Sequence, residues 1–336
     1  MKRALGIAAI MVLAASGLFA AGTKEAAAAA PAKIAWYAPA PHPYFDAVQE
    51  GVKAFQQDYG ITVKVQIGPD WNMDSENTGM LALAAQGYNY FSAYPADPSA
   101  ANGLYKQLAD HGAKIINFGA TTFQPTPASL AIMTDVKAAA ATAAKFLFEK
   151  IGGKGTVVNV LEVLEDPNTQ LRKQGIDEVA KQYPGIKIVE VAGIKSEQEA
   201  MDKINSAIAG AGGYVNGIIC TGYVPTVALA KILTDYEKKY NKHIDGVGID
   251  DDPVTLKAIA DGYLDGSIGQ NTFGHGYLPL VALKLMSEGY KPQAGVYNID
   301  SGVVMIQKDN ISTYKDDLKK VTARIKADLP TKYLTK

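Results

Sequence analysis

Three aspartates in a row, Asp250-Asp251-Asp252, follow the apolar run Val247-Gly248-Ile249 and precede Pro253. An apolar run of this kind is a strand, and a proline just after it suits the first position of a helix, where its missing N–H would have no partner anyway. Asp250 therefore falls at the carboxyl end of a strand, the place where open α/β sheets bind small molecules. A carboxylate there can accept hydrogen bonds from hydroxyl groups. The alternative is that all three acids cap the helix. Asp251 and Asp252 are expected to do so, and Asp250, nearest the strand, is the candidate ligand group. Three further stretches place polar or aromatic groups at comparable points. His42-Pro43-Tyr44-Phe45 lies at the start of the first helix, Leu171-Arg172-Lys173-Gln174-Gly175-Ile176 opens a later helix, and Ser267-Ile268-Gly269-Gln270-Asn271 ends a strand. Rings, a guanidinium, a carboxylate and an amide so disposed suit a small polar molecule. For Tyr44 and Phe45 the alternative is to staple their helix to the core.

Other chemistries lack their motifs. Neither G-x-G-x-x-G nor G-x-x-x-x-G-K-[ST] occurs, so no nucleotide cofactor is expected, and G-x-S-x-G is also missing. Cys220 is the only cysteine and sits in an apolar strand, where a buried inert thiol is expected and no disulfide is possible within the chain. His42, His111, His243 and His275 share no metal-ligand spacing, so no metal is expected. The chain carries 33 Lys and Arg against 34 Asp and Glu without a basic block, which argues against nucleic acid.

With 336 residues, 48% hydrophobic and 20% charged, the chain has material for two domains with separate cores. Residues 1–22 have the order of a secretory signal: Lys2-Arg3, an apolar run from Ala4 to Ala21, then small residues. Residues 23–32 form an Ala-rich leader. From Lys33 onward strand patterns alternate with amphipathic helix patterns, predicting an α/β fold of parallel sheets covered on both faces. The alternation restarts at Lys154, so two sheets are expected. A strand at 267–271, one at 296–306 and a closing helix at 314–327 follow.

These motifs, in this order, resemble the type I periplasmic binding proteins, and among them the ribose-binding-like members that serve bacterial sugar ABC transporters. The resemblance spans Lys33 to about Asn310. The family's asparagine-proline-aromatic-aromatic loop is similar to His42-Pro43-Tyr44-Phe45, its arginine-x-x-glycine turn to Arg172-Lys173-Gln174-Gly175, its valine-glycine-phenylalanine-aspartate strand to Val247-Gly248-Ile249-Asp250, and its strand-end glutamine to Gln270. Tyr94-Pro95-Ala96-Asp97 resembles its proline-x-aspartate segment. The resemblance implies two doubly wound lobes joined by three crossings near Thr134, Asn271 and Ser301. The lobes would be 33–134 plus 271–301 and 135–270 plus 302–336. It further implies a monomeric, exported, non-enzymatic receptor in the periplasm that closes on a sugar or polyol and delivers it to a membrane permease. Its ligand set would be His42, Tyr44, Phe45, Arg172, Asp250 and Gln270, and the rings of Trp71, Phe118 and Tyr223, which lie near the strand ends, are expected to narrow the cleft, with core packing as the alternative for them. A sensory receptor of the same fold and, further off, a periplasmic enzyme on a small polyol are the alternatives. Gly119-Ala120 and Val224-Pro225 replace polar pairs of the ribose-like members, so a pentitol, tetritol or modified sugar is expected to fit better than ribose, glucose or galactose.

Overall fold

The computed structural model describes residues 32–336 apart from Val163 and Glu165; the signal-like segment lies outside them. Along the first half run β1 (Ile34–Ala38), α1 (Pro43–Tyr59), β2 (Val63–Ile67), α2 (Met73–Ala85), β3 (Tyr90–Ala93), α3 (Ala101–Asp110), β4 (Lys114–Phe118) and β5 (Leu130–Met133). Then come α4 (Val136–Lys150), β6 (Lys154–Val160), α5 (Pro167–Ala180), β7 (Gly185–Val191), α6 (Glu197–Gly210), β8 (Gly217–Cys220), α7 (Tyr223–Tyr240), β9 (Asp245–Ile249), α8 (Pro253–Asp261) and β10 (Gly266–Gln270). The last elements are α9 (Thr272–Ser287), β11 (Lys291–Pro292), β12 (Asn298–Asp300), β13 (Val303–Ile306), α10 (Tyr314–Asp328) and β14 (Leu334–Thr335).

The strands form two six-stranded sheets, ordered β12-β5-β4-β3-β1-β2 and β13-β10-β9-β8-β6-β7. Pairing is parallel except between β10 and β13. In each sheet the order in which strands are added reverses about one strand, β1 between β2 and β3, and β6 between β7 and β8, all of them parallel. Side chains just past β1, β3, β6 and β8 therefore face the crevice such a reversal opens. Alternate residues of each strand enter opposite cores. In the first lobe Trp36 packs with Phe45 and Phe118 on one face, and Tyr37 packs with Met80 and Tyr105 on the other.

Close helix contacts fix where the first turns point. A Cβ on Gly175 would stand 2.2 Å from the Lys137 carbonyl, so α5 lies against α4 with nothing between, and Arg172 is carried one turn earlier on the same helix. Gly276 does the same for α9 against α1, where a Cβ would meet the Val48 carbonyl at 2.0 Å.

Three segments connect the two six-stranded sheets: β5 to α4 at Thr134, β10 to α9 at Asn271, and β12 to β13 at Ser301. The stretch 296–306 is thus two strands in two sheets, not one strand, because Asp300 turns the chain by accepting from the N–H groups of Asp135 (3.0 Å) and Gly302 (2.9 Å). The tail also needs correction. Residues 302–336 do not all belong to the second lobe: Tyr314 and Leu318 pack there, but Ile325, Leu329 and Leu334 enter the first lobe's core and β14 pairs with β11. Lys326 completes the tie by donating to the Tyr277 hydroxyl at 2.7 Å, while that hydroxyl donates to Asp58.

At the opposite end of the second sheet from the strand carboxyl ends, His243 lies 2.6 Å from Glu237 and 3.4 Å from Asp265. His243, Asp245 and Asp265 set potential ligating atoms within 4.8 Å of one another, but Lys150 stands 3.1 Å from Asp265 and 3.7 Å from Asp245, so the chain supplies its own positive charge. Hydrogen bonds to Asp265 and Glu237 outweigh burial and raise the His243 pKa from 6.5 to about 9. A raised folded pKa stabilises fully below the unfolded value and stops doing so as pH rises through the folded one. The denaturation midpoint is therefore expected to fall between pH 6.5 and about 9, less steeply in His243→Gln. Equal slopes for the two proteins in urea titrations would show that the ion cluster contributes nothing.

Candidate functional site

Asp250 ends β9 in a left-handed conformation, φ 70°, which is uncommon for a residue with a side chain. The strain is held from both sides: its N–H donates to the Ile268 carbonyl at 2.8 Å, and its own carbonyl accepts from Ser267 Oγ at 2.6 Å. This conformation turns the carboxylate along the strand ends to accept from Gln270 Nε2 at 2.7 Å. Strained, over-determined residues of this sort cluster at ligand sites. Burial raises the Asp250 pKa from 3.8 to about 6, against the lowering influence of Gln270 and Arg172. The neighbouring acids have other work. Asp252 caps α8 through the Val254 N–H, as expected, whereas Asp251 is not a cap and accepts from the Tyr314 hydroxyl at 2.8 Å.

Arg172, in the first half of α5, faces both Asp250 and Glu162 and favours the charged form of each. Burial nevertheless raises the Glu162 pKa. Among the described residues Arg172 Nε is buried without a hydrogen-bond partner, a condition that costs about 1–3 kcal/mol unless an acceptor is brought to it. Glu162 follows β6 and lies over Gly222, where an added Cβ would come within 2.2 Å of its carboxyl carbon. Glu162 is not among the expected site residues, although it closes an apolar run of sequence just as Asp250 does.

The first lobe offers mainly rings. Tyr44 lies within electrostatic reach of Asp250, and Tyr94 within reach of Asp166 and Arg172, so the two lobes face each other here. Trp71, half exposed, packs edge-on against Tyr94 at 5.4 Å. The other expected ring groups hold different positions. Phe45 and Phe118 are fully buried because both pack on Trp36, Phe118 stacked at 5.0 Å and Phe45 edge-on at 6.2 Å; they back the site and present no surface to it. His42 is exposed and caps α1, its Nδ1 accepting the Tyr44 N–H at 3.1 Å. Tyr223, half exposed at the start of α7, donates to Asp252 at 2.5 Å and so sits on the rim. Arg172, Asp250, Gln270, Tyr44 and Trp71 thus come together with Glu162 and Tyr94. The last has as its only sequence signal the Tyr-Pro pair after β3.

Residues 36–291 match the family of the periplasmic binding protein domain. Solved structures share the fold. A solute-binding protein of an ABC transporter from Burkholderia graminis, in complex with D-arabinose, is 24% identical with a TM-score of 0.70 over 84% of this chain and 98% of that one. An arabinose-binding protein from Geobacillus stearothermophilus reaches a TM-score of 0.75 at 18% identity over 84% and 99% of the two chains. An ABC transporter solute-binding protein from Bacillus halodurans with bound myo-inositol reaches 0.69 at 14% identity over 85% and 97%. No curated protein matches.

Proposed function

This chain belongs to the periplasmic binding protein domain family, and we propose that it is the sugar- or polyol-binding component of an ABC transporter, closing its two lobes round the ligand and handing it to a membrane permease. The observation that carries this reading is Asp250: a half-buried, strained carboxylate joined to Gln270 and faced by Arg172, at the strand ends between the lobes. Vicinal hydroxyls can donate to Asp250 while accepting from Arg172, each such charge-assisted bond being worth roughly 1.5–3 kcal/mol. Gln270 precedes the crossing at Asn271, so a ligand that engages it also touches the hinge. Tyr44, Tyr94 and Trp71 offer apolar faces for the carbon skeleton, with His42, Phe45 and Phe118 holding them and Tyr223 at the rim. The D-arabinose and myo-inositol bound by relatives of the same fold support a carbohydrate or polyol. The signal-like start supports export to the periplasm, in which case intact-mass analysis of protein from the native host will find a mature chain beginning at 22–31; a retained Met1 would count against cleavage.

A thermal-shift screen of aldoses, alditols and nucleosides tests the assignment. A ligand at a hundred times its Kd should raise the midpoint by about 4 °C for a chain of this size. The same ligand should shift the emission of the half-exposed Trp71 to shorter wavelength as the cleft closes over it. A panel in which no sugar or polyol moves either signal would contradict the reading.

A further inference from the structure

One buried imidazole touches the cleft and all three crossings. His275 lies in the first turn of α9, directly after the Asn271 crossing, and is fully buried. Its Nδ1 is 2.8 Å from the Tyr44 hydroxyl. Its Nε2 is 2.8 Å from Ser301 Oγ on another crossing and 3.4 Å from Thr134 Oγ1 on the third. Burial keeps the ring neutral, with a pKa lowered to about 3. A neutral imidazole donates at one nitrogen and accepts at the other, so the direction of the bond to Tyr44 fixes the direction of the bonds to the hinge. Space for the Tyr44 hydroxyl exists because residue 119 is glycine: a Cβ there would stand 2.0 Å from it. Tyr44 in turn lies opposite Asp250 of the other lobe.

We propose that His275 is a positioning residue that couples the cleft to the hinge, holding Tyr44 at one ring nitrogen and the Thr134 and Ser301 crossings at the other, so that the lobe arrangement and the orientation of Tyr44 change together. The proposal deepens the receptor reading above by assigning the residue that regulates its closure. Tyr44 and Ser301 share no hydrogen bond; His275 stands between them. Mutations at sites that share no partner act additively, whereas those in one hydrogen-bond network do not. Removing the Tyr44 bond, or the shorter of the two hinge bonds, 2.8 Å to Ser301 against 3.4 Å to Thr134, therefore weakens the same coupling.

The test is a double-mutant cycle of Tyr44→Phe and Ser301→Ala read by lobe separation without ligand, which makes it independent of the ligand's identity. Spin labels at Lys106→Cys and Lys257→Cys report that separation. Both side chains are well exposed, 69% and 75%, and the native Cys220 is buried and free. Trimethylamine N-oxide, which favours compact states, brings the closed and open populations of the parent into range, at one concentration for all four proteins. Each single variant is expected to shift the closed-to-open ratio about five-fold in the same direction, and the pair by about the same five-fold, because one network is cut once or twice. Multiplying effects of about twenty-five-fold, or single variants that leave the ratio unmoved, would overturn the coupling role while leaving ligand binding in the cleft intact. One unchanging separation at every osmolyte concentration would overturn the role and the closure mechanism together.

Discussion

Asp250→Gly is expected to stabilise the unliganded protein and to weaken its complex, two effects of opposite sign from one residue. A side chain in the left-handed region costs about 1–2 kcal/mol, somewhat less for aspartate, and glycine removes that cost while adding chain entropy to the unfolded state. The half-buried carboxylate adds a second effect. Its folded pKa of about 6 lies above the ordinary 3.8, so whatever stability it lends is present below the lower value and lost as pH rises through the higher one. At pH 7.5 the replacement is therefore expected to gain about 1–3 kcal/mol in urea denaturation, and at pH 4 only the backbone part. Ligand affinity should fall by roughly 2–4 kcal/mol, the cost of truncating one partner of a desolvated polar contact. Arg172→Ala should lose a similar amount of affinity. Unchanged affinity in both variants would mean that Asp250 only shapes its turn.

Gly119→Ala is expected to destabilise the protein through both its backbone and the ring it displaces. Gly119 has φ 67°, and the new Cβ would fall 2.0 Å from the Tyr44 hydroxyl and 3.3 Å from the Tyr94 ring. Tyr44 must then leave His275 with a buried nitrogen unpaired. Backbone strain and the lost partner together come to roughly 2–5 kcal/mol. Gly60→Ala is the control, since Gly60 has nearly the same φ, 64°, but nothing within 4 Å of its added Cβ. It should cost only the strain, about 1–2 kcal/mol. Equal losses in the two variants by chemical denaturation would show that Tyr44 can move aside freely.

Strand and helix alternation is legible in the sequence because most elements here are amphipathic or end in glycine or proline. The elements it hides are those without contrast. α9 is buried on nearly every side and contains Gly274, Gly276 and Pro279, so neither its period nor its composition announces a helix. α4 is largely alanine, and β5 has four residues. At the site, Asp250, Arg172 and Gln270 are legible because each stands at a strand end or helix start, and Glu162 would follow from the same rule. His275 would not: its partners lie 26, 141 and 231 residues away. Phe45 and Phe118 illustrate the reverse limit, because a ring near a strand end can face the cleft or the core and spacing alone does not choose between them.

The lining of the cleft bears most directly on which ligand it selects. Tyr44 occupies the room that any side chain at residue 119 would need, and across from it Asp250 is accompanied by Arg172, Gln270 and Glu162. Such a site has few partners for a hexose, and each hydroxyl left unpaired costs about 1–3 kcal/mol. Calorimetric titration with matched aldohexoses, aldopentoses and alditols measures this. Micromolar or tighter binding of a pentitol, a tetritol or a deoxy sugar, ahead of ribose, glucose and galactose, is the predicted result; tight binding of those three aldoses with silent alditols would contradict it.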